Sequence, residues 1–247
     1  MRRTILVTGA SRGVGRATAI AFAERGDRVA IHHRDSAEAA EKLRRELAGE
    51  GHVVVQADLA QPPAVQAMVA EAAAALGNID VLVNNAAHSG QHPITEVSYE
   101  EWQAAWRQTI EVNLMGAANV TYWAVKHMKR GGRIVNVSSR GAFRGEPRQP
   151  AYGASKAGLN AMGQSLAVAL APLGIAVATV APGYVETDAS NAHLKSPRGP
   201  EIRAQSPFDR VARPEEVAAA IVWLASPEAE WASGAILDLN GASYLRT

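Results

Sequence analysis

The sequence predicts one α/β domain, residues 1–247, built around a doubly wound parallel sheet. Short apolar runs rich in β-branched residues alternate along the whole chain with longer segments in which apolar residues recur at helical spacing. A glycine-rich turn joins the first of these runs to the first helical segment. Since 247 residues with 47% apolar content can bury one large core, a second domain is unnecessary. Alternation of this kind favours a parallel sheet covered by helices.

The first strand–helix–strand unit sets this pattern. Residues 4–7 form a short β-rich run, and the turn from Thr8 to Gly15 follows it. Gly26 ends the helix that comes next, and a second strand is predicted at 28–31. The apolar positions that define the helix are Ala17, Ile20, Ala21 and Phe22.

The remaining elements continue the alternation to the end of the chain. The other strands are predicted at 53–56, 79–83, 133–137, 175–180 and 235–239. The other helices are predicted at 36–48, at 62–76, in two or three segments within 99–129, from 152 to near 172, and at 214–225. Residues 188–210 interrupt the pattern with three prolines, and we predict a long loop there that serves as a substrate lid.

The glycine-rich turn has the features of a dinucleotide-binding site. Gly9, Gly13 and Gly15 carry no Cβ where the chain must turn tightly and approach a pyrophosphate. A helix that begins near Gly13 directs free N–H groups and its positive dipole end at such an anion. A glycine triplet alone is more often an ordinary turn, but its place between a strand and a helix favours cofactor binding.

Tyr152 and Lys156 stand four residues apart in the run Pro-Ala-Tyr-Gly-Ala-Ser-Lys. In a helix this spacing puts both on one face, ~6 Å apart along the axis. An ammonium at ~5 Å, with an effective dielectric constant of ~20, favours the phenolate by about 3.3 kcal/mol, or roughly two and a half pKa units. Lys156 is therefore expected to lower the pKa of Tyr152 toward neutrality. The alternative for such a pair alone is an ordinary surface contact.

Other motifs occur in register with these two. They are Asp58-Leu59, Asn84-Asn85-Ala86, Asn113, the strand at 133–137 with Ser138-Ser139, and Pro182-Gly183 followed by Thr187. With them, the chain resembles the short-chain dehydrogenase/reductase family, which includes 3-oxoacyl-acyl-carrier-protein reductases, over essentially its whole length. The resemblance implies a Rossmann-type fold with a seven-stranded parallel sheet and helices on both faces. It also implies hydride transfer to or from a nicotinamide.

The resemblance assigns the catalytic set Asn113, Ser139, Tyr152 and Lys156. The family's serine lies thirteen residues before its tyrosine, which selects Ser139, and its hydroxyl can share the charge that develops on a substrate oxygen. Asn113 is implied to break the regularity of its helix and hold a water that links Lys156 to solvent. Lys156 is also implied to bind the nicotinamide ribose.

The nicotinamide cofactor is expected to be NADP(H) rather than NAD(H). NAD-preferring relatives place an acid at the end of the second strand, where this chain has His33 followed by Arg34. Arg12 in the glycine turn can approach the same 2′-phosphate, whereas Asp35 opposes it. The cofactor-binding residues are Gly9, Ser11, Arg12, Gly13, Val14, Gly15, His33, Arg34, Asp58, Leu59, Asn85, Ala86, Tyr152, Lys156, Pro182, Gly183, Val185 and Thr187.

Composition and residue spacing exclude several other functions. A net charge of +1 and a pI near 8.1 give no field for nucleic acid, and no apolar run of membrane-spanning length occurs. The absence of cysteine and of a leader suits a cytoplasmic enzyme. His88 and His92 are four apart, but Gly90 and Pro93 disfavour a helix there, so no metal site is expected.

Small residues along the helix of Tyr152 allow another helix to approach closely, and family members commonly pair this helix in homotetramers. They are Gly153, Ala154, Ala157, Gly158, Ala161 and Gly163, and tight packing on the sheet is the alternative explanation. A homotetramer is therefore expected.

The function predicted first is that of an NADPH-dependent carbonyl reductase or alcohol dehydrogenase for a small molecule, with a 3-oxoacyl thioester as one substrate. A sugar or secondary-alcohol dehydrogenase and a pterin reductase are alternatives within the same chemistry. From another class, a non-catalytic regulator that senses the dinucleotide stays open. Many relatives have glycine where this chain has Ala87, which alters the pocket beside the nicotinamide and leaves the substrate unidentified.

Overall fold

The computed structural model describes residues 2–246 and contains a seven-stranded parallel sheet in the order β3-β2-β1-β4-β5-β6-β7. The predicted fold class is confirmed, because the strand order reverses direction at β1 and β4 as a doubly wound sheet requires. The strands are β1 (Thr4–Val7), β2 (Arg28–His33), β3 (Val53–Gln56), β4 (Val81–Asn84), β5 (Arg133–Val137), β6 (Ala176–Pro182) and β7 (Ile236–Leu239).

Helices connect successive strands. They are α1 (Gly13–Ala23), α2 (Ala37–Glu46), α3 (Pro62–Leu76), α4 (Tyr99–Ile110), α5 (Ala117–Val125), α6 (Pro150–Leu170), α7 (Asp188–Lys195), α8 (Gly199–Ala204) and α9 (Pro214–Leu224). A π-helical stretch, Glu111–Gly116, joins α4 to α5, and 3₁₀ turns occupy Arg140–Ala142, Ala171–Leu173 and Pro227–Ala232. Between residues 2 and 246, none of the helices is both long enough and apolar enough to cross a bilayer.

Two hydrophobic cores cover the two faces of the sheet. Ile5 and Val7 of β1 belong to the first core, which α1 and α9 close, whereas Leu6 belongs to the second, which α3 and α5 close. This alternation follows from the two-residue period of a strand that is buried on both faces. Packed helices therefore support the sheet on both of its faces.

The predicted loop at 188–210 is wrong, because the segment contains α7 and α8. Ser190 Oγ accepts a hydrogen bond of 2.9 Å from the Thr187 N–H, which stabilises the start of α7. Pro200 lies in the first turn of α8, where a proline costs no helical hydrogen bond. Prolines that suggest a loop in the sequence thus mark helix boundaries instead.

Candidate active site

The glycine turn after β1 is fixed by close contacts that only glycine permits. Gly9 and Gly13 have φ values of +63° and +56°, in the left-handed region. A Cβ on Gly15 would lie 2.3 Å from the Gly9 carbonyl oxygen and 2.5 Å from Asn85 Nδ2. The turn is therefore closed by direct packing of α1 on the backbone that leaves β1.

Two buried side chains, those of Thr8 and His32, hold this turn. Thr8 Oγ1 accepts hydrogen bonds from the N–H groups of Asn85 and Ala86, at 2.9 and 3.0 Å. His32 Nδ1 accepts the N–H of Gly9 at 2.9 Å, and its Nε2 pairs with the Ala57 carbonyl at 3.1 Å. Burial lowers the pKa of His32 to about 4, so the imidazole is neutral and can accept that hydrogen bond.

Asn85 and Ala86, two predicted cofactor contacts, pack against the glycine turn. Asn85 Nδ2 donates to the carbonyl oxygens of Thr8, at 2.8 Å, and Gly9, at 3.1 Å. The Ala86 Cα would be 2.9 Å from a Cβ on Gly9. The amide side chain of Asn85 is thus engaged in positioning the turn.

The turn and the start of α1 fit a dinucleotide pyrophosphate. Arg12 precedes α1 and has an exposed side chain, and among the described residues no side chain caps this helix. Ser11 lies in the turn half-buried, while Val14 packs on the first core. Free N–H groups, the helix dipole and a nearby cation provide what a diphosphate needs.

The segment after β6 lies beside this turn. The Thr187 methyl carbon would be 3.2 Å from a Cβ on Gly13, so the segment faces the start of α1. Gly183 donates its N–H to the Leu239 carbonyl oxygen at 3.1 Å and follows the buried Pro182, while Val185 pairs with Ala212. Pro182 and Gly183 anchor the segment to the sheet, and Thr187 approaches the expected cofactor position.

The predicted adenosine end is mixed in character. His33 is buried, and within residues 2–246 its Nδ1 has no hydrogen-bond partner. Arg34 Nε pairs with Asp35 at 2.5 Å, so part of its charge is already balanced. Asp58 Oδ1 accepts the Ala60 N–H at 3.0 Å, and Leu59 is buried in the second core.

Ser139, Tyr152 and Lys156 meet where β5 ends and α6 begins. Lys156 is fully buried, and its Nζ donates to the Val137 carbonyl oxygen at 2.8 Å, 5.7 Å from the centre of the Tyr152 ring. Ser139 Oγ accepts the Gly141 N–H at 3.0 Å, and the Ser139 side chain is close enough to the Tyr152 phenol to favour a lower pKa of that phenol. The three predicted residues therefore form one cluster.

The expected effect of Lys156 on Tyr152 is wrong in this structure. Burial raises the pKa of Tyr152 above 10.0, and the nearby Ser139 side chain only partly opposes this. Burial also lowers the pKa of Lys156 to about 8, and its ammonium is directed at the Val137 carbonyl. The phenol consequently keeps its proton near neutral pH, which suits a proton donor.

Asn113 lies in the π-helical stretch, so the predicted irregularity of this helix is confirmed. Its Oδ1 accepts the His88 N–H at 2.7 Å, and its Nδ2 donates to the His88 carbonyl at 2.9 Å and to Ser155 Oγ at 3.0 Å. Ser155, which the sequence analysis did not select, donates to the Tyr152 carbonyl at 2.8 Å. Asn113 thereby connects the loop after β4 to the catalytic helix.

Comparison with known proteins agrees with this geometry. A family model described as Enoyl-(Acyl carrier protein) reductase matches residues 9–241. The chain belongs to the short-chain dehydrogenase/reductase family. It is 35% identical over 249 residues to the 3-oxoacyl-acyl-carrier-protein reductase FabG of Staphylococcus aureus, covering 99% of each protein. It is 41% identical over 244 residues to the cis-4-hydroxycyclohexanecarboxylate dehydrogenase of Sinomonas cyclohexanicum, covering 97% of this chain and 95% of that one.

A solved structure has the same fold with a cofactor bound. A short-chain dehydrogenase from Burkholderia cenocepacia in complex with NADP superposes with a TM-score of 0.90 at 32% identity, covering 98% of this chain and 97% of that one. As a member of the family, this chain is an oxidoreductase that acts on CH–OH or C=O groups with a nicotinamide dinucleotide.

His92 and Arg148 contribute contacts that hold the start of α6. His92 Nε2 accepts the Ala151 N–H at 3.2 Å, and the His92 N–H donates to the Arg148 carbonyl at 2.8 Å. Arg148 makes two parallel bonds to Glu96, at 2.8 and 2.9 Å. Gln149 provides no cap for α6, so His92 takes that role from another loop.

Proposed function

We propose that the protein is an NADP(H)-dependent carbonyl reductase and alcohol dehydrogenase, with Asn113, Ser139, Tyr152 and Lys156 as its catalytic residues. One observation carries the proposal: the serine, tyrosine and lysine converge at the carboxyl end of β5, on the edge that also holds the glycine turn. Open α/β sheets bind their ligands at this edge.

The side chains have separable roles in reduction. Ser139 donates a hydrogen bond to the substrate carbonyl oxygen, and Tyr152, protonated because its pKa is raised, donates the proton. Lys156, whose ammonium lies 5.7 Å from the centre of the Tyr152 ring, binds the nicotinamide ribose hydroxyls. Asn113 holds a water that passes protons between Lys156 and solvent. The nicotinamide, when bound, supplies the hydride.

The preference for NADP(H) rests on charge. Arg12 is exposed beside the glycine turn, no acid ends β2, and His33 offers a buried nitrogen. The Burkholderia cenocepacia relative was crystallised with NADP, which supports the same choice. Changing Arg12 to Gln is expected to lower kcat/KM for NADPH about tenfold or more and to leave that for NADH nearly unchanged. A higher kcat/KM for NADH in the unaltered protein would contradict the proposal.

The substrate is a small ketone or secondary alcohol. The chain forms a single domain in which α7 and α8 cover the substrate as a lid, and four copies of it assemble into a homotetramer. A 3-oxoacyl thioester follows from the resemblance to the FabG protein. A second candidate, an alicyclic secondary alcohol, is favoured by 41% identity to a cis-4-hydroxycyclohexanecarboxylate dehydrogenase. Following NADPH absorbance with acetoacetyl thioesters and with 4-oxocyclohexanecarboxylate separates the two.

The decisive experiment replaces Tyr152 with Phe. Turnover is expected to fall by about a thousandfold or more because the proton donor is lost, while NADPH affinity and the melting temperature stay the same. Tyr122→Phe removes a hydroxyl from an exposed tyrosine and is the matched control. If Tyr152→Phe retained more than about a tenth of the wild-type kcat, the role of Tyr152 as proton donor would be rejected. Tight NADPH binding without turnover on any carbonyl would favour the dinucleotide-sensing regulator.

A further inference from the structure

A cavity of about 180 Å³ is lined by Arg140, the residue that directly follows Ser139. Its lining includes apolar Ile202, Leu239 and exposed Phe208, together with Arg140 and Tyr184. Arg210 and Glu216 also line it, and they form an ion pair with each other at 2.8 Å. The catalytic side chains Asn113, Ser139, Tyr152 and Lys156 are not among the residues that line it. The cavity therefore differs from the site at the end of β5.

Arg140 is buried in this cavity, with only 3% of its surface exposed. Its Nη1 donates to Ser243 Oγ, its Nη2 donates to Gln205 Oε1, and its guanidinium carbon lies 5.1 Å from the centre of the Tyr184 ring. Within residues 2–246, no carboxylate oxygen comes within 4.0 Å of its nitrogens. The guanidinium is held in place by neutral groups.

Arg133 shows how this chain treats another buried arginine. It is 5% exposed, and its Nη2 pairs with Glu230 at 2.8 Å. Glu146 and Tyr184 attract the Arg140 charge without forming an ion pair with it, and Arg144 repels it. Burial without a counter-ion accordingly lowers the pKa of Arg140. The two arginines differ in what balances their charge.

We propose that this cavity is a binding site for a small organic carboxylate, which pairs with Arg140. A guanidinium carries five N–H donors, and two hydrogen bonds use two of them here. The remaining donors suit two parallel bonds to a carboxylate, and the apolar walls suit a short carbon chain or ring. An anion at this point supplies the counter-ion that the chain itself lacks.

The cavity is joined to the catalytic centre through the backbone. Arg140 directly follows Ser139, and Tyr184 directly follows Gly183 in the segment that approaches the cofactor. The carboxylate belongs either to one end of the substrate or to a separate molecule. Both sources present the same group to Arg140, and inhibition kinetics distinguish them.

Calorimetric titration of a probe into the full chain, with NADP⁺ present throughout, tests the site. The measurement requires no turnover, so its outcome is independent of the proposed activity. The probes are cyclohexanecarboxylate and its neutral analogue cyclohexanecarboxamide. The carboxylate is expected to bind at least about tenfold more tightly than the amide, and Arg140→Met is expected to remove this difference. Arg45→Met removes the same unit of charge from an exposed position outside the cavity and is expected to change the affinity less than about twofold.

Arg140→Lys keeps the charge and guards against a folding defect in Arg140→Met. It is expected to fold and to weaken carboxylate binding by about three- to tenfold, because the forked donor geometry is lost. Equal affinities for the carboxylate and the amide, or carboxylate binding that neither Arg140 variant weakens, would overturn the proposal.

Inhibition by cyclohexanecarboxylate then identifies the source of the anion. Competition with a ketone substrate that bears a carboxylate indicates that the cavity holds the substrate's own acid group. A change in kcat at saturating substrate indicates a separate ligand. Either pattern supports the site when Arg140→Lys weakens the inhibition by the same factor as it weakens cyclohexanecarboxylate binding.

Discussion

The two halves of the sheet build the active site in different ways. Around β1, β2 and β4 the cofactor is expected to meet backbone N–H groups, and side chains such as Thr8 and Asn85 only fix their positions. At β5 and α6 the proposed chemistry depends on the side chains of Tyr152 and Lys156, and burial shifts the pKa of both. The first half is therefore sensitive to steric changes, and the second to changes in charge.

The strongest test of this difference is steric. Gly15→Ala puts a Cβ 2.3 Å from the Gly9 carbonyl oxygen, so the turn must open. We expect a loss of about 3 kcal/mol in the free energy of unfolding and weaker binding of NADP⁺. Gly145→Ala is the control, since a Cβ there meets no atom within 4 Å, and a change below about 0.5 kcal/mol is expected. Urea denaturation measures both, and similar losses in the two variants would contradict the packing argument.

The cofactor half also contains a titratable support, His32. Its pKa falls from 6.5 in the unfolded chain to about 4 in the fold, so the unfolded state binds the proton first as the pH falls. Stability from this group is full above pH 6.5 and is lost toward pH 4. Between pH 7 and pH 5 the loss is about 2 kcal/mol.

His32→Asn, which does not titrate, should lose about 2 kcal/mol less than the wild type over the same interval. Urea denaturation at pH 7 and pH 5 provides the comparison. An identical loss in both proteins would show that protonation of His32 does not drive the acid sensitivity.

In the catalytic half, we expect Lys156→Met to stabilise the fold and abolish turnover. The pKa of Lys156 falls from 10.5 to about 8, so the charged form is disfavoured in the fold at pH 7. The cost of burying the Lys156 charge is about 3 kcal/mol, which the variant regains. The variant also loses the hydrogen bond to Val137, which cancels about 1–2 kcal/mol of that gain. A net gain of about 1–2 kcal/mol should appear as a higher melting temperature. Exposed Lys129→Met should leave it unchanged, and a lower melting temperature for Lys156→Met would refute the burial cost.

The smallest expected effect concerns His92, which caps the catalytic helix from a neighbouring loop. His92→Phe removes the acceptor for the Ala151 N–H but keeps an aromatic ring against Trp102, whose ring centre is 5.6 Å from that of His92. We expect a loss of about 1 kcal/mol in stability and a several-fold lower kcat with an unchanged KM for NADPH. His92→Gln, which retains an acceptor, should recover most of the kcat. A merely structural role would lower stability in both variants and leave kcat unchanged.

The sequence contains enough local information to predict much of this molecule. Strand and helix periodicity predicted the parallel sheet. Gly9, Gly13 and Gly15 predicted a tight turn, and the φ values and close contacts at these positions show why glycine is required there. Helical spacing also put Tyr152 and Lys156 on one face of α6. These features depend on sterics and repeat lengths within a few residues.

Other features depend on contacts between segments far apart in the chain. The direction of the Tyr152 pKa is set by burial and by Ser139, which lies on another element. His32 accepts a hydrogen bond from Gly9, and His92 caps α6 from the loop after β4. The cavity at Arg140 is bounded by residues from β7 and from the region after β6.

The sequence by itself thus determined the fold class, the glycine turn and the residue types of the catalytic cluster. Only the tertiary structure decided which of these groups keep their protons and which have hydrogen-bond partners. It also decided that the charged side chain of Arg140 lies beside a cavity without a carboxylate from residues 2–246 to neutralise it. The physical reason is that periodicity and backbone sterics act between neighbours in sequence. Desolvation and the choice of a hydrogen-bonding partner depend on every segment that packs around a group.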